Sequence, residues 1–333
     1  MQKANVFPIR KNYEKLAEDI LLPRFYVNTE REYGLFGTGF ARVPVTQEVL
    51  LEGFSLSAED RHIEFNYNTS NIRRIDIDKN NGNDVTAFTV KEREALELEN
   101  FYGSIQDKDN IIVQLSKSIG DCVTQDNSLS DGDLRAYITN VLQEQDKMLG
   151  KNLNDTIQSF KAKVRALKTS YAKRQFEGKV RSGQISLQPT EHLPGEIILT
   201  KDKAPAIDKK MYQEEEGFNG FERTVIEQVI SLDCVRCWHR NQERGKGFCI
   251  NGFVNAYPDF IIVLHNGITV MLETKGNHLD GSDSRNKLAC GDTWSKLAGP
   301  KFYYFMVFEN SPIEGAVSVN EFIKNLQQLG ANQ

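Results

Sequence analysis

The plainest apolar and polar pattern lies in the C-terminal third of the chain. GFERTVIEQVISL (220–232) and SVNEFIKNLQQLG (318–330) are amphipathic at helical spacing, and DSRNKLACGDTWSKLAG (283–299) also reads as a helix. VRCWHRN (235–241) and KFYYFMVFEN (301–310) are short runs with strand character. Between them, FVNAYPDFIIVLHNGITVMLETKG (253–276) holds two apolar runs around Asn266-Gly267 and predicts a hairpin. FIIVL and ITVML are apolar at every position, so both faces of this hairpin should be covered, as in the centre of a sheet. The predicted order is α-β-β-β-α-β-α.

Upstream the rhythm changes twice. From about residue 20 to 90, FYVNT, RHIEFNY, NIRRIDID and VTAFTV alternate like strands and are separated by Gly/Asn clusters. RRIDID-KNNGND-VTAFTV reads as a hairpin with a polar loop. Residues 90–181 are mostly helical in pattern: KEREALELENFYGSI, NIIVQLSKSIGDCV, DLRAYITNVLQEQDKML and a basic stretch, with SLSDGD as an N-cap signal before Leu134. Residues 182–217, with Pro189, Pro194, Gly195, Pro205 and the Glu214-Glu215-Glu216 run, read as a linker around one short strand, EIILT. The expected organisation is a β-rich spacer over 1–90, a helical basic region and linker over 91–210, and an α/β domain over 211–333.

Charge refines this division. The 333 residues carry 41 Lys+Arg and 46 Asp+Glu, a formal net charge of −5, which by itself disfavours a nucleic-acid partner. Residues 151–210, however, hold 13 Lys/Arg against 6 Asp/Glu. In the densest part, Ile157, Phe160, Val164, Leu167 and Tyr171 step by three or four, while Lys161, Lys163, Arg165, Lys168, Lys173 and Arg174 fill much of the remainder. Such a helix either attracts phosphates or simply presents a solvated face. No stretch is apolar enough to span a membrane, and the N-terminus lacks a signal-peptide core. Five cysteines, an odd number clustered late, fit a reducing compartment, so a cytoplasmic protein is expected.

The hairpin carries the candidate chemistry. Pro258-Asp259 is followed, after thirteen residues, by Glu273-Thr274-Lys275-Gly276. Glu273 and Lys275 are two apart and share a sheet face. A two-residue Asn266-Gly267 turn would pair His265 with Ile268 and put Asp259 opposite Thr274, on the wrong face. A three-residue loop over His265-Asn266-Gly267 pairs Leu264 with Ile268 and sets Asp259 opposite Glu273. The second register is predicted, since only it gathers two carboxylates and an ammonium. Paired carboxylates repel, and a hard divalent cation such as Mg²⁺ relieves that repulsion. Asp259, Glu273 and the Thr274 carbonyl are the candidate metal ligands, with Lys275 placed to assist an attacking water. A salt-bridged Asp–Lys–Glu cluster without catalysis is the alternative.

Pro258-Asp259…Glu273-Thr274-Lys275, with Glu222 on a preceding helix and this element order, resembles the PD-(D/E)xK nuclease superfamily. FERTVIEQV, VRCWHRN, YPDFIIVL and LETKGNHLDGSDSRNKLACGDTW are similar to the C-terminal endonuclease domain of type III restriction enzyme Res subunits and related helicase–nucleases. FPIRKNYEKLAEDILLPRFYVN and EYGLFGTGFAR resemble, more weakly, the spacer after the motor of those subunits. The resemblance implies a restriction-endonuclease-like core, a Mg²⁺-dependent (or Mn²⁺-dependent) endonuclease acting on DNA, and a place in a restriction system. It makes Asp259 and Glu273 metal ligands, Lys275 the catalytic lysine and Glu222 a helix-borne acid that positions metal or water. Lys287 becomes a candidate phosphate contact and Arg240 a candidate substrate contact, with Trp238 as core. Such proteins pair an ATP-dependent helicase motor with the nuclease and act with a methyltransferase subunit. No P-loop is present in this chain, so the motor function is not expected of these residues. The other classes kept open are a non-catalytic DNA-binding adaptor and a DNA-repair nuclease.

Three further motifs lead nowhere. GLFGTGFAR lacks the Lys-Ser/Thr of a phosphate loop, and Asp76, Asp78 and Asn80 are not followed by the Gly and Glu of a calcium loop. Cys234 and Cys237 would face opposite ways on a strand, with Cys249 and Cys290 at spacings unlike a zinc site. His278 reads as a solvated loop histidine.

Overall fold

The β-rich, helical and α/β rhythms each appear in the computed structural model, which describes residues 5–32, 38–63, 73–77, 85–89, 108–123, 129–144, 153–242, 245–276, 281–310 and 312–331. In chain order the elements begin with β1 (Val6–Pro8), α1 (Glu14–Asp19), β2 (Leu21–Glu32), β3 (Thr38–Pro44) and α2 (Gln47–Leu50). Next come β4 (Arg73–Ile77), β5 (Val85–Thr89), α3 (Lys108–Val123), α4 (Asp131–Glu144) and α5 (Leu153–Arg181). β6 (Ile185–His192), β7 (Glu196–Ile198), α6 (Gly220–Ile230), β8 (Val235–Arg240), β9 (Ile250–Asn251) and β10 (Asn255–Ala256) follow. The chain closes with β11 (Phe260–Leu264), β12 (Thr269–Lys275), α7 (Ser282–Ala298), β13 (Phe302–Phe308), β14 (Val317–Ser318) and α8 (Val319–Ala331). The protein is mixed α/β. Among the described residues no helix is long and apolar enough to cross a membrane.

The chain forms two compact units, 1–46 with 176–333, and 47–175. These limits differ from the boundaries expected near 90 and 210, because the first strands pair with segments far along the chain. In the first unit, a five-stranded sheet has the order β14-β13-β12-β11-β8. β11 is antiparallel to both β12 and β8, whereas β12 and β13 are parallel. One face packs Phe260, Ile262, Leu264, Val270 and Leu272 against Val225, Ile226 and Val229 of α6 and Phe322 and Leu326 of α8. All five residues of β11 and all seven of β12 are buried. Burial of each large apolar side chain stabilises the sheet by about 1.5–3 kcal/mol relative to exposure. The opposite face is approached by α7 so closely that a Cβ on Gly291 would lie 2.3 Å from the Tyr304 ring.

A second sheet in this unit has the order β3-β2-β6. It corrects the reading of 182–217 as a linker with only one short strand. Ile185 to His192 pair with β2, and Pro189 is tolerated because β6 is an edge strand whose register shifts at Leu22/Pro23. Asn251 clasps the unit together: its Oδ1 accepts from Phe25 N at 2.9 Å, and its Nδ2 donates to Phe25 O and Val45 O. Trp294 Nε1 donates to Pro23 O at 2.7 Å.

The second unit contains α2, α3, α4 and α5 up to Gln175, with the expected antiparallel β4–β5 hairpin. Its polar loop lies outside the described residues. Ser130 caps α4 as the sequence suggests, its Oγ accepting from Asp133 N at 3.1 Å. Ile157, Phe160, Val164 and Leu167 form the buried stripe of α5.

Candidate active site

The hairpin adopts the three-residue loop. Phe260 pairs with Leu272 and Val263 with Thr269, and Leu264 N donates to Ile268 O at 2.8 Å. Gly267, at φ 82°, takes the left-handed conformation that a side chain would oppose, and donates to Leu264 O at 3.0 Å. Strand pairing ends with Phe260 and Leu272, one residue short of Asp259, whose carboxylate turns to Thr274.

Several elements meet where β12 ends and β11 and β8 meet it. Lys275 Nζ lies 2.6 Å from Glu273 Oε1, so the two residues do share a face. Lys287, from α7, approaches the same oxygen at 3.7 Å and pairs with Asp283 at 3.3 Å. Thr274 donates twice to Asp259 Oδ2, from its backbone N at 2.6 Å and from Oγ1 at 2.7 Å. Glu222 sits at the start of α6 in a capping box: Asn219 Oδ1 accepts from Glu222 N, and Glu222 Oε2 accepts from Asn219 N. The cap explains both the helix start and the inward orientation of the glutamate.

Arg240 joins the two carboxylates that the hairpin and α6 supply. Its Nη1 is 3.0 Å from Asp259 Oδ1 and donates to Asp259 O at 2.8 Å, and its Nη2 is 3.2 Å from Glu222 Oε1. The guanidinium also lies over the Phe260 ring, 4.9 Å from the centroid. Arg240 is 7% exposed, so its polar end is paired inside the fold. Trp238 is fully buried, as expected of core.

These charges perturb one another. Burial pushes the Glu222 carboxyl above its usual range; Arg240 opposes that shift and Asp259 adds to it. Burial likewise raises Glu273, helped by Asp259 and resisted by Lys275 and Lys287. For Lys287, burial pulls the ammonium down, but Glu273 and Asp283 outweigh it and hold it above the usual lysine value. Tyr304 is raised well above an ordinary phenol, first by burial and then by Glu273.

Two buried polar atoms on this side of the sheet, Glu273 Oε2 and Tyr304 Oη, have no hydrogen-bond partner. An unpartnered buried carboxylate oxygen is a hard donor suited to a divalent cation, and the Asp259 charge is near enough to act on Glu273. The oxygen donors of Asp259 and Glu273 are of the chemical type that Mg²⁺ prefers. Among the described residues, though, no three His, Cys, Asp or Glu side chains converge to hold a metal unaided. The Arg240 guanidinium bridges Glu222 and Asp259.

Sequence reasoning missed the acidic run. Glu215, expected in a linker, is fully buried; its Oε2 accepts from Arg240 N at 3.0 Å and contacts His239 Nδ1 at 2.9 Å, while Oε1 accepts from Tyr212 N at 3.2 Å. Glu216 accepts from Thr200 N, Thr200 Oγ1 and Gln242 Nε2. The two glutamates anchor the end of β8 that carries Arg240. A triple-Glu run signals solvent exposure, so only the spatially adjacent donors reveal its role.

The basic candidates lie on α5. Lys163 pairs with Asp60 at 2.6 Å, Arg165 is exposed and Lys161 half-buried, but Lys168 is buried and is no surface phosphate contact. Cys237, Cys249 and Cys290 are buried free thiols, and Cys234 Sγ donates to Leu326 O. Burial pushes Cys237 up to about 12, which makes it a poor metal ligand. His278 lies outside the described residues. Comparison with protein-family models, curated proteins and solved structures yields no match to this chain.

Proposed function

We propose that the α/β part of the chain, residues 211–333, is a Mg²⁺-dependent DNA endonuclease module of the PD-(D/E)xK kind. The observation that supports this reading is the buried acid at the end of the hairpin: Lys275 sits on Glu273, one buried oxygen of Glu273 is unpartnered, and the Asp259 charge lies near enough to help raise the Glu273 carboxyl. Asp259 and Glu273, with the Thr274 carbonyl, would hold the cation, and Mn²⁺ would substitute. When bound, the cation supplies Lewis-acid polarisation of a phosphodiester and favours the ionised form of water at neutral pH.

The chain's own groups do the remainder. Thr274 fixes one oxygen of Asp259 by two hydrogen bonds, so the other oxygen defines the direction in which the carboxylate acts. Glu273 holds the Lys275 ammonium at the strand end, where it can take up negative charge developing on the phosphate. Lys287 adds a second positive charge from α7. Glu222 reaches the site through Arg240 and acts on Asp259 from the helix side.

DNA as substrate, a cytoplasmic setting, and action beside a methyltransferase subunit and an ATP-dependent helicase motor belong to the same proposal. Incubation of the purified chain with Mg²⁺ or Mn²⁺ and duplex DNA, alone and with such partners, tests it. Cleavage lost in Asp259→Ala and Glu273→Ala is expected; cleavage equal in all three proteins would end the nuclease reading. The Arg240–Asp259 pair, which neutralises the site without metal, favours one second reading, a non-catalytic DNA adaptor. Metal-independent DNA binding that disappears when Lys161, Lys163 and Arg165 are neutralised would select that reading.

A further inference from the structure

We infer that Arg240 is a built-in counter-ion that holds the acidic site closed and competes with the divalent cation for Asp259. The inference rests on the proposed metal-dependent nuclease and adds how its cation is admitted. Arg240 makes two kinds of contact that a cation would replace or disturb: Nη1 to Asp259 Oδ1 at 3.0 Å and Nη2 to Glu222 Oε1 at 3.2 Å. The remaining oxygen of Asp259 is already committed to Thr274. Both oxygens of Asp259 thus have partners while Arg240 is in place, whereas Glu273 keeps one buried oxygen unpartnered.

Charge counting around the strand ends leads the same way. Glu222, Asp259, Glu273 and Asp283 meet Arg240, Lys275 and Lys287, and within this set Glu222 and Asp259 both pair with Arg240. A metal entering at Asp259 meets the Arg240 charge on the same carboxylate, a repulsion that eases when Arg240 moves off or an anion joins. A phosphate oxygen of the substrate is such an anion. The Arg240 guanidinium is held by Asp259, Glu222 and the Phe260 ring, while its backbone N donates separately to Glu215. The site is therefore poised to bind metal weakly alone and tightly together with a phosphodiester.

Calorimetric titration of the full chain with Mn²⁺ alone reads this directly. Removing Arg240 alone leaves Glu222 buried without its partner, so the test variant is Arg240→Met combined with Glu222→Gln, with Arg240→Lys as a second, better-folding variant. The double variant should bind Mn²⁺ at least about tenfold more tightly than the unaltered chain, a change equivalent to about 1.4 kcal/mol. Arg240→Lys, whose single ammonium cannot span both carboxylates, should fall between them, and Glu222→Gln alone, which keeps the Arg240–Asp259 pair, should show no such gain. If the unaltered chain binds Mn²⁺, Asp259→Ala abolishes it and the double variant binds no more tightly, the counter-ion role is wrong and the metal site stands. If no variant, including those freed of Arg240, binds Mn²⁺, the metal-dependent reading itself falls.

Discussion

Truncating Glu215 tests whether a buried glutamate governs the strand that presents Arg240. Glu215→Ala removes an acceptor for three groups at once: Arg240 N at 3.0 Å, His239 Nδ1 at 2.9 Å and Tyr212 N at 3.2 Å. Hydrogen bonds to a charged group contribute about 1.5–3 kcal/mol each, and buried donors left unpaired carry a penalty of about 1–3 kcal/mol each. These contributions overlap within one network, so the expected loss is about 4–6 kcal/mol, comparable to the whole stability of a modest domain. Glu215→Gln keeps one carbonyl oxygen and should lose roughly half as much, about 2–3 kcal/mol. Urea denaturation followed by tryptophan fluorescence is the natural assay. Both tryptophans of the chain, Trp238 and Trp294, are fully buried in the unit formed by 1–46 and 176–333, so the signal reports on that unit. Glu227→Ala is the control, because Glu227 makes an exposed i,i+4 pair with Arg223 that contributes only about 0.3–0.5 kcal/mol. A Glu215→Ala midpoint no lower than that of the control, at unchanged slope, would refute the anchoring argument.

Gly291→Ala should destabilise the same unit by about 1–3 kcal/mol through overpacking, since the new Cβ meets the Tyr304 ring at 2.3 Å; a variant as stable as the unaltered chain in urea would show that α7 can draw back freely. Glu222 supplies a pH test. Its folded-state carboxyl is raised, so its stabilising contribution is present below the unfolded glutamate value of about 4.3 and is lost as pH rises through the raised folded value. Glu222→Gln stays neutral, so its stability relative to the unaltered chain should improve between about pH 4 and pH 7. Stability curves in which that gap shrinks with pH would contradict the buried-carboxyl assignment.

The hairpin was legible because everything that sets it is local. Continuous apolar runs define strands covered on both faces, and His265-Asn266-Gly267 selects between two registers that differ by one residue. The three-residue loop and the Glu273–Lys275 pair were therefore readable before any contact was known, whereas the partners of Asp259, Thr274 and Arg240, were not. The helix starts were legible for the same reason, as at Asn219 and Ser130, where a polar side chain precedes the helix it caps.

Tertiary structure alone decided the rest. β2 finds β6 more than 150 residues away, which places residues 1–46 in the same unit as the hairpin and overrides a contiguous domain reading. Pro189 resembles a linker residue until its strand is seen to be an edge. Arg240 reads from sequence as a cation available to substrate, yet its partners come from α6 and from the start of β11, so only the folded chain shows a cation spent internally. Glu215 is the sharpest case. Residue type and neighbours in sequence predict solvent, but a buried carboxylate is stabilised by whichever donors surround it, and those donors come from β8 and a distant turn. Periodicity and turn chemistry act over a few residues, so sequence carries them. The pairing of buried charges is a property of the assembled unit, and only tertiary structure determines which acid meets which base.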